Sequence, residues 1–184
     1  MTTTKRKLLT AEDLLELHSK GVKGELIRGV LAETVSTGVE HGKITAKFTI
    51  KVGIFVEPRK LGTIVTSDTG VLGGRNPDVV REPDVAFTSV ERMPLDTRIR
   101  GYSEVPPDLV IEVASPGDSV RALYDKAHMW LGHGVRLVWV ADPDTRTVDV
   151  YRQDGPIITM TEDDTLDGDP VLPGFTLPVR EVFD

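Results

Sequence analysis

Pro107-Asp108-Leu109-Val110-Ile111-Glu112-Val113-Ala114-Ser115-Pro116 decides how the rest of the chain is read. Its centre is an apolar run rich in β-branched residues and bounded by prolines, the pattern of a buried strand. Glu112 interrupts that run. A carboxylate persists in such a place only when it is paired, hydrogen-bonded or coordinated to a cation. Strand alternation puts Asp108, Val110 and Glu112 on one face, with Leu109, Ile111 and Val113 on the other.

Working outward, further strands are expected at 62–66 and 85–88, and Asp84 opens the second of these. If the strands holding Asp84 and Glu112 are antiparallel neighbours, the start of one lies beside the end of the other and the two carboxylates converge. Two carboxylates on a rigid sheet edge, with main-chain carbonyls nearby as at Val113, suit a hard cation such as Mg²⁺ or Mn²⁺. Such an ion can activate water and stabilise charge on a phosphate. Ile44, Phe48, Val52 and Phe55 form one apolar stripe at helical spacing, ending before Pro58. A second helix is expected from an Asp118 N-cap to Gly132 or Gly134, with Val120, Leu123, Ala127 and Leu131 inward. Lys126 falls on the flank of that stripe, where a long side chain can bend toward the sheet edge.

Before this core, Thr10 and Asp13 make a capping-box pattern for a helix over 11–19, and 25–33 reads as a hairpin turning at Arg28-Gly29. After it come a strand at 136–141 and a β-meander: 147–151, a turn at Asp154-Gly155-Pro156, 157–160, and a Pro-rich closing segment through Val171, Phe175 and Val179. The stretch 91–106 has no period and reads as a long surface loop. The fold class is therefore α/β (α+β), organised as one domain over 1–184.

Composition narrows the chemistry. There is no cysteine, which excludes disulfides, thiolate metal sites and a cysteine nucleophile, and fits a reducing compartment. Met1-Thr2-Thr3-Thr4-Lys5-Arg6-Lys7 has no apolar stretch behind its charges, and no run is long enough to span a membrane. These features point to the cytoplasm. The net charge of −7 opposes simple electrostatic binding of nucleic acid. However, 11 acidic and 3 basic residues lie from Asp142 onward, leaving 18 acidic and 19 basic before it. His18, His128 and His133 have no mutual metal-ligand spacing. Gly70, Gly73 and Gly74 do not sit between a strand and a helix as a phosphate loop requires, so nucleotide cofactors are not expected.

Several segments together resemble a known family: Arg81-Glu82-Pro83-Asp84-Val85-Ala86-Phe87, the stretch 107–116, Lys126, and Gly134-Val135-Arg136-Leu137-Val138-Trp139-Val140-Ala141-Asp142-Pro143. They are similar to the Uma-type restriction endonucleases of the PD-(D/E)XK nuclease superfamily. The likeness extends to Glu25-Leu26-Ile27, Glu40-His41-Gly42 and Leu172-Pro173-Gly174-Phe175. It implies a restriction endonuclease-like αβββαβ core, here with a C-terminal β-meander extension, and hydrolysis of DNA phosphodiester bonds with a divalent metal. It further implies that Asp84 and Glu112 hold the metal and that Glu40 is the acid of the first core helix. The superfamily pattern wants a lysine two residues after the second acid. Ala114 stands there instead, and the role passes to Lys126.

Plainer roles are set against these. Glu112 could be salt-bridged to Arg81 or Arg136, and Glu40 could only complete a capping box with Thr37. Lys43, Lys47 and Lys51 repeat every four residues as a possible phosphate-contacting ridge, with His41 at the mouth of the site. The alternative function is a nuclease fold without catalysis, serving as a nucleic-acid- or protein-binding module. A homodimer suits two nicks on a duplex.

Overall fold

The fold is described from a computed structural model covering residues 8–184; the charged segment 1–7 lies outside the described residues. The hairpin, the stripe helix and the Glu112 strand all form where the residue pattern places them. Helix α1 (Ala11–Ser19) starts with the Thr10 and Asp13 capping box. Strands β1 (Gly24–Ile27) and β2 (Val30–Glu33) are joined at Arg28 and Gly29, both at positive φ as a two-residue hairpin turn requires. Helix α2 (Val39–Val56) buries Ile44, Phe48, Val52 and Val56, and runs into a short 3₁₀ turn at Pro58.

The main sheet begins with β3 (Gly62–Thr66). Two short strands follow, β4 (Val71–Gly74) and β5 (Val79–Arg81), then β6 (Val85–Ser89) and β7 (Leu109–Val113). Helix α3 (Val120–Gly132) crosses to β8 (Leu137–Asp142), which runs parallel to β7. Strands β9 (Thr147–Arg152) and β10 (Ile158–Met160) extend this sheet to six, in the order β10-β9-β8-β7-β6-β3. Taken in order, α2, β3, β6, β7, α3 and β8 form the expected αβββαβ core, with β4 and β5 inserted between its first two strands. The closing segment makes a two-stranded sheet, β11 (Thr165–Asp167) with β12 (Thr176–Pro178), and ends in α4 (Arg180–Phe183).

Alternation divides the core cleanly. Val85, Phe87, Leu109, Ile111, Val113, Leu137 and Trp139 point to α2 and the C-terminal segment. Ala86, Val110, Val138 and Val140 point to Ala127 and Trp130 of α3. With both faces covered, the central strands are buried throughout, which explains why their sequences are nearly continuous apolar runs.

The inserted strands were not expected. They are short, β4 is half glycine, and β5 pairs with the distant β1 to give a second sheet in the order β2-β1-β5-β4. Leu26, Leu72 and Val80 from this sheet pack with Ala11 and Leu14 of α1 in a separate small core. Two helix details also differ from expectation. Ser119, not Asp118, caps α3 by accepting from the Ala122 N–H at 3.1 Å, while Asp118 accepts from the Ser115 N–H in the preceding turn. Val120, expected inward, is 84% exposed, because the inward face of α3 runs through Leu123, Lys126, Ala127 and Trp130.

Candidate active site

Glu112 is 2% exposed on the α3 face of β7. Its burial is compensated from one helix: Lys126 Nζ donates to Oε2 at 2.7 Å and Trp130 Nε1 donates to Oε1 at 2.7 Å. The spacing of four residues puts both donors on the same side of α3. Neither arginine considered as a partner serves. Arg81 pairs with Glu25, and Arg136 with Asp108.

Asp84 lies one residue before β6. That strand pairs with β7 as Val85↔Ile111, Ala86↔Val110 and Phe87↔Leu109, so the register carries Asp84 to the position opposite Glu112. Residues directly opposed across an antiparallel pair share a face. Asp84 Oδ2 accepts from the Val113 N–H at 2.8 Å and lies 3.2 Å from His41 Nε2. His41 Nδ1 is 3.4 Å from the Thr45 hydroxyl one turn along α2. A cleft of about 1160 Å³ opens over these groups, lined by Asp84, Glu112, Val113, Lys126 and His41 among others.

The charges in the cleft act on one another. Burial pushes the Glu112 carboxyl up; Lys126 opposes this and the nearby Asp84 adds to it. Burial pulls the Lys126 ammonium down, but the negative charge of Glu112, with a contribution from Glu25, leaves it above its ordinary value. The Asp84 hydrogen bond raises His41 against the effect of burial, and the Val113 main chain assists.

The structure thus brings together Asp84, Glu112, Val113 and Lys126, and adds two groups. Trp130 carries no signal for this role in the sequence, because an indole N–H adds nothing to the helical periodicity. His41, expected at the mouth, is buried on Asp84. Glu40 is not brought to this group: it is exposed and does not line the cleft. Adjacent helical residues differ by about 100° around the axis, so burying His41 turns Glu40 away. The Thr37 capping box does not form either, since Gly38 is the N-cap and makes no side-chain bond. Lys43 and Lys47 lie outside the cleft lining, and Lys51 pairs with Glu181, so the three do not act as one ridge over the site.

In kind, the donors fit a hard cation: two carboxylates and a main-chain carbonyl, with no thiolate. In number they are fewer than a closed cage needs. Among the described residues no group of three His, Cys, Asp or Glu is arranged to hold an ion. An ion here would keep several waters, as Mg²⁺ characteristically does.

The family comparison fits this geometry. Residues 11–180 match the model of the Uma2 family, described as "Putative restriction endonuclease". The chain belongs to this family. Among solved structures, one described as a "putative nuclease belonging to DUF820 from Anabaena variabilis ATCC 29413" superposes with a TM-score of 0.82 at 22% identity. The match covers 95% of this chain and 97% of that one. It shows that the two share a fold. No curated protein matches the chain. Among the described residues, no helix is long and apolar enough to cross a membrane.

Proposed function

We propose that the cleft hydrolyses DNA phosphodiester bonds, with Asp84, Glu112 and the Val113 carbonyl holding a divalent cation. The observation that carries this reading is the convergence of two carboxylates across β6 and β7, in a cleft, with a half-buried lysine on one of them. A bound Mg²⁺ or Mn²⁺ supplies Lewis-acid stabilisation of phosphate charge and a more acidic water. The protein's own groups do the positioning. His41 and the Val113 N–H fix Oδ2 of Asp84, and the Trp130 N–H fixes Oε1 of Glu112. Lys126 keeps an ammonium beside the phosphate, where it offsets developing negative charge and orients the attacking water. A homodimer would bring two such clefts to the two strands of a duplex.

The test is cleavage of plasmid and linear DNA by the purified protein with Mg²⁺ or Mn²⁺, with and without chelator. Divalent-dependent nicking that Glu112→Gln abolishes is the expected result. Equal cutting by wild type and variant would remove this site from the mechanism.

A second reading has support of its own. Both Glu112 oxygens already have protein donors, and the chain is acidic overall. A nuclease fold without catalysis, binding nucleic acid or protein, is compatible with both facts. It predicts no divalent-dependent heat on titration.

A further inference from the structure

The second sheet, which lies outside the αβββαβ core, also reaches the cleft. The β1–β5 register, Leu26↔Val80, sets Glu25 opposite Arg81. Glu25 is buried, and both its oxygens are engaged: Oε1 accepts from the Glu82 N–H at 2.7 Å, and Oε2 lies 3.0 Å from Arg81 Nε. Arg81 itself is left with unmet donors. Its side chain is only 13% exposed, and its Nε–H is buried without an aligned acceptor. Beyond Glu25, the described residues give it no ion-pair or hydrogen-bond partner.

A guanidinium carries five N–H donors in a rigid fork; here Nε–H faces Glu25, and the terminal N–H groups have no acceptor among the described residues. Donors left open at a cleft are offered to an anionic ligand. Arg81 lines the same cleft as Asp84 and Lys126. It lies three positions before Asp84, so their Cα atoms are within about 11 Å. The other lysines and arginines lining the cleft are Lys23, paired with Asp68, and Lys126, paired with Glu112, while His41 is held on Asp84. The charges of Glu25 and Arg81 both act on Lys126, which places the three groups in one electrostatic neighbourhood.

We infer that Arg81 is a phosphate-binding residue of the cleft, its fork engaging a backbone phosphodiester of the bound strand, and that Glu25 is the positioning residue that aims it. Planar bidentate recognition of phosphate is what a pre-oriented arginine does better than a lysine. For the identity of its substrate this inference rests on the nuclease reading above; for the phosphodiester contact it does not.

The experiment uses the full chain labelled with ¹⁵N and titrated with dimethyl phosphate, following the Arg81 Nε–H resonance. It is paired with DNA cleavage by wild type, Arg81→Lys and Arg81→Gln. The expected result is a saturable shift of that resonance and of the neighbouring backbone amides in wild type, with no saturable shift of those amides in Arg81→Lys, which keeps the charge beside Glu25 and so guards against a folding artefact. In cleavage, either variant raises KM roughly tenfold, the size of one lost charge-assisted contact, with kcat much less affected. Glu25→Gln weakens the dimethyl phosphate shift without abolishing it. An unmoved resonance in a wild type that cuts DNA overturns the role of Arg81 and leaves the nuclease reading standing. A clear shift in a wild type that cuts nothing does the reverse, and the absence of both removes both.

Discussion

Strand β7 carries one buried acid near each end of the same face, and the two are treated in opposite ways. Asp108, just before the strand, is fully buried and over-satisfied. It accepts from the Ser89 N–H at 2.7 Å, lies 2.8 Å from Arg92 Nε, and receives Arg136 through Nε at 2.9 Å and Nη2 at 2.7 Å. Arg92 in turn donates to the carbonyls of Pro106 and Gly134. Two positive charges on one carboxylate make a clasp that ties the 91–106 loop to the strands and leaves nothing over for a ligand. Glu112 has one lysine and one neutral N–H, and a second acid, Asp84, faces it across the strand pair. Its negative charge is under-compensated and opens on a cleft. The contrast teaches that burial of an acid does not mark a functional site; the balance of charge around it does.

The largest expected effect separates the two ends by activity. Glu112→Gln lowers divalent-dependent DNA cleavage by roughly a thousandfold or more, within the range for removing a group that acts on the transition state. Its melting point falls as well, since the single amide oxygen accepts from only one of Lys126 and Trp130 and the NH2 group faces the other donor, so cleavage is compared per folded molecule. Asp108→Asn acts on stability alone. It leaves two guanidiniums without their counter-charge and destabilises the fold by about 3 kcal/mol, the low end for a broken buried pair because both arginines reach solvent. That corresponds to a melting point roughly 6–12 °C lower in a chain of this size. Cleavage per folded molecule stays close to wild type. A catalytic loss in Asp108→Asn with an unchanged melting point would falsify the division of roles.

Lys126→Gln should have an intermediate effect, cutting the cleavage rate by about a hundredfold, as for one lost electrostatic donor. Because Glu112 then loses its cation, its carboxyl moves further up, and the acid limb of the pH–rate profile moves with it. An acid limb that stays in place would show that Lys126 does not act on Glu112 in the working enzyme.

The smallest effect is on stability and comes from His41. Asp84 holds this imidazole above its usual value of about 6.5, so folding favours its protonated form. The resulting stabilisation is complete below that pH and disappears as pH rises through the folded value. Melting of wild type and His41→Gln should therefore differ most in mild acid and converge in the alkaline range. A difference that does not vary with pH would mean that the imidazole is not charged on Asp84.

Much of this was legible in the residues because it is local. The α2 stripe at Ile44, Phe48 and Val52, the hairpin turn at Arg28-Gly29, and the polar interruption at Glu112 each follow from periodicity or turn chemistry within a few positions. The parity of β7, together with Asp84 at the head of β6, was enough to anticipate two acids side by side. What was missed depends on distant partners or on fine rotation. Strand β5 is three residues long and acquires its identity from β1, more than fifty residues earlier, so neither the second sheet nor the Glu25 and Arg81 pair announces itself. Glu40 and His41 are neighbours in a helix start. Only the rotation of α2 against the sheet decides which faces Asp84. Likewise Val120 reads as apolar and inward until Ser119 proves to be the cap and the helix begins beyond the core.

The central claim is that the under-compensated end of β7, and not the clasped end, accepts a divalent cation. Calorimetric titration of Mn²⁺ into wild type, Asp84→Asn, Glu112→Gln and Asp108→Asn tests this most directly. The account predicts saturable binding in wild type and Asp108→Asn and its loss in both other variants. Undiminished binding in Asp84→Asn and Glu112→Gln, or no binding to the wild type, would contradict it.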